Sequence, residues 1–168
     1  LYETAVLRVV ELSFPSPVKR PWPQTNTVYA TCYIPKTARK IPAVITLHTF
    51  GSRDARFCYR LMRGLAARNI AGIQLDMPFH RRRTVPGLAP GFAFMGRSVS
   101  DLIETARQVV IEVRAVLDWL ERQPDIDGRR IAIAGFSLGA SMAALAFALE
   151  PRLCAAACVG AGAMPHYM

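Results

Sequence analysis

Lysine, cysteine and acidic residues are scarce in this sequence, and no internal repeat or low-complexity tract is present. Only three of its 21 basic residues are Lys, and 12 acidic residues leave a net charge of +9. The lack of a fixed-period repeat excludes a solenoid, and the even spread of Pro and Gly excludes a collagen-like chain. With 52% hydrophobic and 20% charged residues, the 168-residue chain is too apolar for disorder and too charged for a membrane bundle. A single domain over residues 1–168 is predicted.

The excess of arginine is one signature of nucleic-acid binding. However, the arginines are scattered, and the only run of three is Arg81-Arg82-Arg83, with no aromatic ladder beside it on which bases could stack. Scattered arginines are typical of solvated helix faces. The sequence therefore predicts no nucleic-acid partner.

The four cysteines, Cys32, Cys58, Cys154 and Cys158, form no C-x-x-C pair, and no His lies at zinc spacing. No metal site is predicted. All four lie in apolar surroundings, which indicates buried free thiols in a reducing compartment. No signal peptide is visible, although the chain opens at Leu1 and not at Met. A cytoplasmic location is the expectation.

Residues 131–149 carry no charge and are long enough to span a bilayer. They include Gly and Ser residues. Together with the flanking Arg130 and Glu150, they contain a β-type half, RIAIAG, and a helix-type half, ASMAALAFALE. We interpret the stretch as a strand, a turn and a buried helix, so no membrane span is predicted.

Strand and helix signals alternate along the chain. Two segments rich in Val, Tyr and Thr, at 6–14 and 26–34, predict an antiparallel start. Apolar runs then predict strands at 42–48, 71–76, 131–134 and 155–159, with helices starting near 58 and spanning 102–120 and 138–149. Ser98 with Asp101 offers a cap for the middle helix. The order predicts an α/β fold: a mostly parallel sheet, antiparallel N-terminal strands and helices on both faces.

In such sheets the chemistry lies at the carboxyl ends of the strands, which here are His48, Asp76 and Ser137. Ser137 is the centre of Gly135-Phe136-Ser137-Leu138-Gly139, a G-x-S-x-G pattern between a buried strand and a small-residue helix. The glycines allow a strained turn that holds the Ser137 hydroxyl out as a nucleophile. The N–H of Leu138, at the helix start, points at a developing oxyanion.

Four motifs resemble those of α/β-hydrolases of the serine esterase, dienelactone-hydrolase-like or prolyl-oligopeptidase-like kind. They are HTFGS at the first central turn, QLDMPFH at the next strand end, the lead-in DGRRIAIAG and the elbow GFSLGA. The resemblance covers about residues 25–164 and implies the α/β-hydrolase fold. It implies a serine hydrolase that acts on small carboxylic esters through an acyl-enzyme, without a cofactor. By the family pattern, Phe50 supplies the second oxyanion N–H, and Thr49 departs from the usual Gly. We interpret His48 as a structural histidine that orients the turn rather than as a base.

The same resemblance implies that an acid and then a His follow the nucleophile. After Ser137 the sequence offers only Glu150 and His166. The family's C-terminal strands are expected to be missing, so the chain is interpreted as a truncated fragment with little or no turnover of its own. The triad of the intact enzyme would be completed beyond residue 168.

Several alternatives remain open at this stage. A set of Asp76, His80 and Ser137 could supply the base internally. Residues 77–100, with three Pro and three Gly, are expected to form a lid or substrate loop, in which His80, Arg81 and Arg83 contact the substrate. The fold could instead serve a peptidase, a thioesterase or a binding module that has lost its triad. Nothing in the sequence fixes the oligomeric state.

Overall fold

The computed structural model describes residues 2–53, 56–96 and 98–161. Its strands are Tyr2–Glu3 (β1), Leu7–Pro15 (β2), Thr27–Pro35 (β3), Ile41–Leu47 (β4), Ala71–Leu75 (β5), Ile126–Phe136 (β6) and Leu153–Val159 (β7). Its helices are Arg56–Ala66 (α1), Val99–Glu121 (α2) and Leu138–Leu149 (α3), and three-residue 3₁₀ turns lie at Pro23–Thr25, Arg81–Arg83 and Phe92–Phe94.

The strands form one mixed sheet in the order β1-β2-β3-β5-β4-β6-β7. Antiparallel pairing joins β1 to β2, β2 to β3 and β3 to β5, whereas β5, β4, β6 and β7 run parallel. Helix α1 packs on β3 and β5, while α2 and α3 pack on β6 and on each other. The predicted α/β-hydrolase class, with its antiparallel N-terminal strands, is confirmed.

The sheet order places β4 at the centre of the candidate site. Because parallel strands end at one edge of a sheet, the turns after β4, β5 and β6 come together there. Strand β4 lies between β5 and β6. The segment after β5 is thus one strand removed from the turn that carries Ser137.

The start and the buried face of helix α2 both follow from its sequence. Its N-cap is Ser98, whose side chain accepts a hydrogen bond from the Asp101 N–H at 3.1 Å, as the S-x-x-D pattern predicts. The apolar stripe then faces the core, where Val109, Val113 and Leu117 are fully buried.

Strand β6 is longer than its apolar run predicts. It starts at Ile126, which is buried and pairs with Ile41, and it continues through a polar stretch before Ile131. The polar residues 127–130 hid this first half from an argument based on hydrophobicity. The uncharged stretch divides into the end of β6 and α3, as expected. Among the described residues, no helix combines the length and apolarity needed to cross a membrane.

The cysteine expectation is half right. All four thiols are free, and Cys32 and Cys58 are buried, but Cys154 and Cys158 are exposed. Both exposed thiols lie on β7, the edge strand of the described sheet, whose residues from Cys154 onward are all exposed. The apolar composition of β7 therefore does not mean that its side chains are buried.

Candidate active site

Ser137 lies in the turn that joins β6 to α3 and adopts φ 51° and ψ −117°. A residue with a side chain pays about 1–3 kcal/mol for such a backbone conformation, which persists only where the surroundings enforce it. Here the Ser137 N–H donates to the Val159 carbonyl at 2.9 Å, and the Ser137 carbonyl accepts from Ala140 N–H at 2.8 Å. Ser137 is exposed. The turn therefore presents the hydroxyl at the carboxyl edge of the sheet.

The two glycines of the motif allow this turn by close packing. A Cβ on Gly135 would overlap the carbonyl of Gly139, and a Cβ on Gly139 would overlap the carbonyls of Leu47 and His48. These contacts are with backbone, which cannot move aside cheaply. The requirement for glycine comes from the approach of α3 to β6 and β4.

The two backbone N–H groups predicted for the oxyanion hole belong to Leu138 and Phe50. Leu138 is the first residue of α3, and the N–H at that position has no partner within its helix. Phe50 lies in the turn after β4, with 48% of its surface exposed. Their use as an oxyanion hole stays a prediction.

His48 is held in a neutral state and orients the turn after β4. Its Nδ1–H donates to the Thr49 carbonyl at 2.9 Å, and its Nε2 accepts from the Met77 N–H at 3.1 Å. Burial lowers the pKa of His48 to about 3. With both ring nitrogens engaged, His48 is not available as a base.

His80 is also buried and does not form the internal triad considered above. Its Nδ1–H donates to the Pro78 carbonyl at 2.9 Å, and burial lowers its pKa from the usual value. The Asp76 carboxylate accepts instead from Arg81 and from Arg82 Nε at 2.7 Å. Asp76 therefore binds arginine side chains, whereas His80 binds a backbone carbonyl. His166 lies outside the described residues.

The arginine run is engaged within the fold. Arg81 pairs with buried Asp76 and donates to the Tyr59 hydroxyl at 3.0 Å, and its side chain is 9% exposed. Arg83 is fully buried and binds both carboxylate oxygens of Glu112 at 2.7 Å. Arg83 has no accessible surface with which to contact a substrate. The expected contact between Arg83 and the substrate is therefore wrong. The physical reason is that each arginine has a buried carboxylate as its partner.

The segment after β5 is only partly packed into the molecule, since residues 86–89, Phe92 and Met95 are exposed. Met77, Phe79, His80, Arg83 and Phe94 are all buried. A cavity of about 450 Å³ lies beside it, lined by Arg20, Trp22, Phe79, Leu88, Phe92, Ala93, Gly96 and Asp101. Two of the segment's aromatics thus line a cavity. The lid role stays a prediction.

Sequence reasoning missed the buried carboxylate of Glu112. It accepts from Ser16 Oγ at 2.7 Å and from Gln108 Nε2 at 2.9 Å, in addition to Arg83. Gln108 and Glu112 are four residues apart, so they share one face of α2. That polar pair within a buried helix was the signal available. In the described part of the chain, no group of three or more His, Cys, Asp or Glu side chains could hold a metal ion.

A family model described as "Alpha/beta hydrolase domain containing 18" matches residues 2–164. No curated protein sequence matches the chain.

Solved structures of esterases are similar to this chain. A PEG-bound cold-adapted esterase from an Arctic intertidal metagenomic library superposes with a TM-score of 0.70 at 21% identity, covering 92% of this chain and 61% of its own. Acetyl xylan esterase 1 from Thermoanaerobacterium sp. JW/SL YS485 gives 0.69 at 20% identity, with 90% and 47% covered. The acetyl xylan esterase from Paenibacillus sp. R4 gives 0.69 at 18% identity, with 92% and 49% covered. The likeness shows the fold, and the chain spans roughly half to three fifths of these structures.

Proposed function

Since the chain belongs to the alpha/beta hydrolase domain containing 18 family, we propose that it carries the nucleophile of an enzyme that hydrolyses carboxylic esters. The observation that carries the proposal is the backbone of Ser137, which is strained at φ 51° and exposed at the start of α3. Backbone strain of this kind clusters at active sites and ligand clamps. In a nucleophile elbow, the strained turn keeps the hydroxyl clear of the helix that follows.

The proposed reaction has two steps. The Ser137 oxygen attacks the ester carbonyl, its proton passes to a histidine base outside the described residues, and the alcohol leaves with that proton. The N–H groups of Leu138 and Phe50 hold the tetrahedral oxyanion. Water then attacks the acyl-enzyme, which releases the acid and restores the Ser137 hydroxyl. No cofactor takes part in this scheme.

Esters are the proposed substrates rather than peptides or thioesters because the similar structures reported above are esterases. Two of them are acetyl xylan esterases, which favours a short acyl group. The segment after β5 is proposed as a fixed wall of the site, since its buried ion pairs oppose the opening of a lid. The four free thiols support a reducing compartment such as the cytoplasm.

The proposal is tested on the full-length protein with p-nitrophenyl acetate and a fluorophosphonate probe. Ester turnover together with labelling of Ser137, located by peptide mass spectrometry, supports it. Active enzyme that carries the label on another residue, or that takes no label, contradicts it. An inactive protein that binds small esters would favour the binding-module alternative.

Gly139→Ala is expected to disable the elbow. The added Cβ would overlap the Leu47 carbonyl, so α3 must shift away from β4 and move Ser137. A displacement of about 1 Å at a reacting group costs about 100-fold in kcat. The control is Gly64→Ala in α1, where nothing lies within 4 Å of the new Cβ. Unchanged kcat in Gly139→Ala would show that the elbow tolerates a side chain.

Arg81→Ala is expected to change KM by the same factor for a carboxylated and for a neutral ester. The Arg81 guanidinium is committed to Asp76 and Tyr59, so it is not free to bind a substrate anion. An arginine that did bind the anion would be worth about 1.5–3 kcal/mol, or roughly tenfold or more in KM for the carboxylated ester alone. Steady-state kinetics on the ester pair distinguishes the two outcomes.

A further inference from the structure

His80 is flanked by two strained residues. Phe79 has φ 65° and Arg81 has φ 50°, and neither is glycine. Each such residue costs about 1–3 kcal/mol, and strain of this kind clusters at functional sites. The ion pairs of Arg81 with Asp76 and of Arg83 with Glu112 hold the segment in this shape. Together they turn the His80 side chain into the molecule.

The His80 ring is sealed inside an aromatic cluster. Its centroid lies 4.9 Å from that of His48, 5.8 Å from that of Phe50 and 5.6 Å from that of Phe94, with the rings edge to face. Its Nε2 has no hydrogen-bond partner among the described residues. Gly91 packs directly against the Nε2 atom of His80, so closely that a Cβ at position 91 would overlap this atom. The ring therefore has no surface exposed to solvent.

The same segment fixes the turn after β4 at two points. The Met77 N–H donates to His48 Nε2, and the His80 ring packs against the half-exposed ring of Phe50. Along the chain, the Phe50 N–H, the second proposed oxyanion donor, lies between the His48 and Phe50 side chains that make these contacts. Gly51, at φ 67°, then turns the chain away. Without the His80 ring, the Phe50 end of this turn loses a buried support.

We propose that His80 is a positioning residue that acts through Phe50 and holds its backbone N–H in place for the oxyanion. The inference rests on the proposed function of Ser137 and Phe50. It assigns His80 neither the role of base nor a contact with substrate. A donor that is held loosely stabilises the transition state less while leaving ground-state binding unchanged, so the signature is in kcat.

The test is a double-mutant cycle in the full-length protein, with His80→Ala, Phe50→Ala and the double variant assayed on p-nitrophenyl acetate. Removing one oxyanion donor costs about 10²–10³ in kcat, so misplacing one is expected to cost about 10- to 100-fold, with KM changed by less than about threefold. The kcat of the double variant should be no lower than that of His80→Ala, since both changes remove the same contact between the His80 and Phe50 rings. Val113→Ala, a core change in α2, is the control: it lowers the unfolding midpoint and leaves kcat unchanged.

Losses that multiply in the double variant, or that fall on KM, overturn the proposal. A loss beyond about 10⁴ together with a lost limb of the pH–rate profile would identify His80 as the base and also overturn it. If His80→Ala does not fold, Phe50→Ala alone tests the proposal. It removes the same ring contact, the Phe50 side chain is half exposed, and the Phe50 backbone N–H is retained. Failure of the proposed function would appear separately, as ester turnover that survives the loss of Ser137.

Discussion

Ser137→Ala is expected to lower kcat of the full-length enzyme by about 10⁶-fold, as removal of the nucleophile does in serine hydrolases. The variant keeps the oxyanion donors and the packing of the elbow, because the Ser137 side chain makes no capping hydrogen bond with α3. KM should therefore change little and the unfolding midpoint should stay close to that of the parent. Steady-state kinetics and thermal unfolding measure both, and fluorophosphonate labelling should disappear.

Ser141→Ala provides a matched control for this variant. Ser141 lies one helical turn further along α3, and it also loses only a hydroxyl. Its kcat should stay within a few-fold of the parent and its labelling should be unchanged. Residual turnover in Ser137→Ala above about one part in 10³ would show that another group performs the attack. The acyl-enzyme scheme would then be abandoned.

The elbow could be predicted because its causes are local. A buried strand, two glycines and a small-residue helix follow each other within residues 131–149, and each has a conformational preference of its own. The same holds for the Ser98 cap of α2 and for the sequence of strands and helices. In these places the structure confirms the predicted strands, turns and helices to within a few residues, whereas the role of Ser137 as nucleophile stays a prediction.

The roles of the arginines could not be predicted in the same way. The partner of Arg83 is Glu112, 29 residues away on α2, and only the packing of α2 against the segment after β5 brings them together. A run of arginines in a Pro- and Gly-rich segment is typical of a solvated or ligand-binding surface. Here the buried carboxylates of Asp76 and Glu112 decide the outcome, and their burial depends on tertiary structure.

The Arg83–Glu112 pair carries the second large effect expected from this structure. Both side chains are fully buried, and the pair is completed by hydrogen bonds from Ser16 and Gln108 to the Glu112 carboxylate. It joins three parts of the chain: the segment after β5, helix α2 and the β2–β3 connection. Breaking such a pair from one side leaves a buried charge without its counter-ion, which costs about 3–5 kcal/mol.

Glu112→Gln is therefore expected to lower the free energy of unfolding by about 3–5 kcal/mol, a large part of the 5–15 kcal/mol typical of a domain. The glutamine has the same shape, so the loss reports the unpaired charge of Arg83 rather than a cavity. Urea unfolding monitored by circular dichroism measures it. Glu104→Gln is the control: Glu104 is 45% exposed where it pairs with Arg107 at 3.4 Å and with Arg20 at 3.8 Å, and each pair of such an exposed carboxylate contributes at most about 1 kcal/mol.

The double variant Arg83→Met, Glu112→Leu separates charge pairing from packing. Since apolar residues of similar volume often replace a buried ion pair without loss, this variant should be more stable than Glu112→Gln alone. The order of stabilities, parent and double variant above Glu112→Gln, is the expected result. If Glu112→Gln loses no more stability than Glu104→Gln, the buried pair does not hold the segment after β5 in place. The support that this segment gives to His80 would then have to come from its aromatic contacts alone.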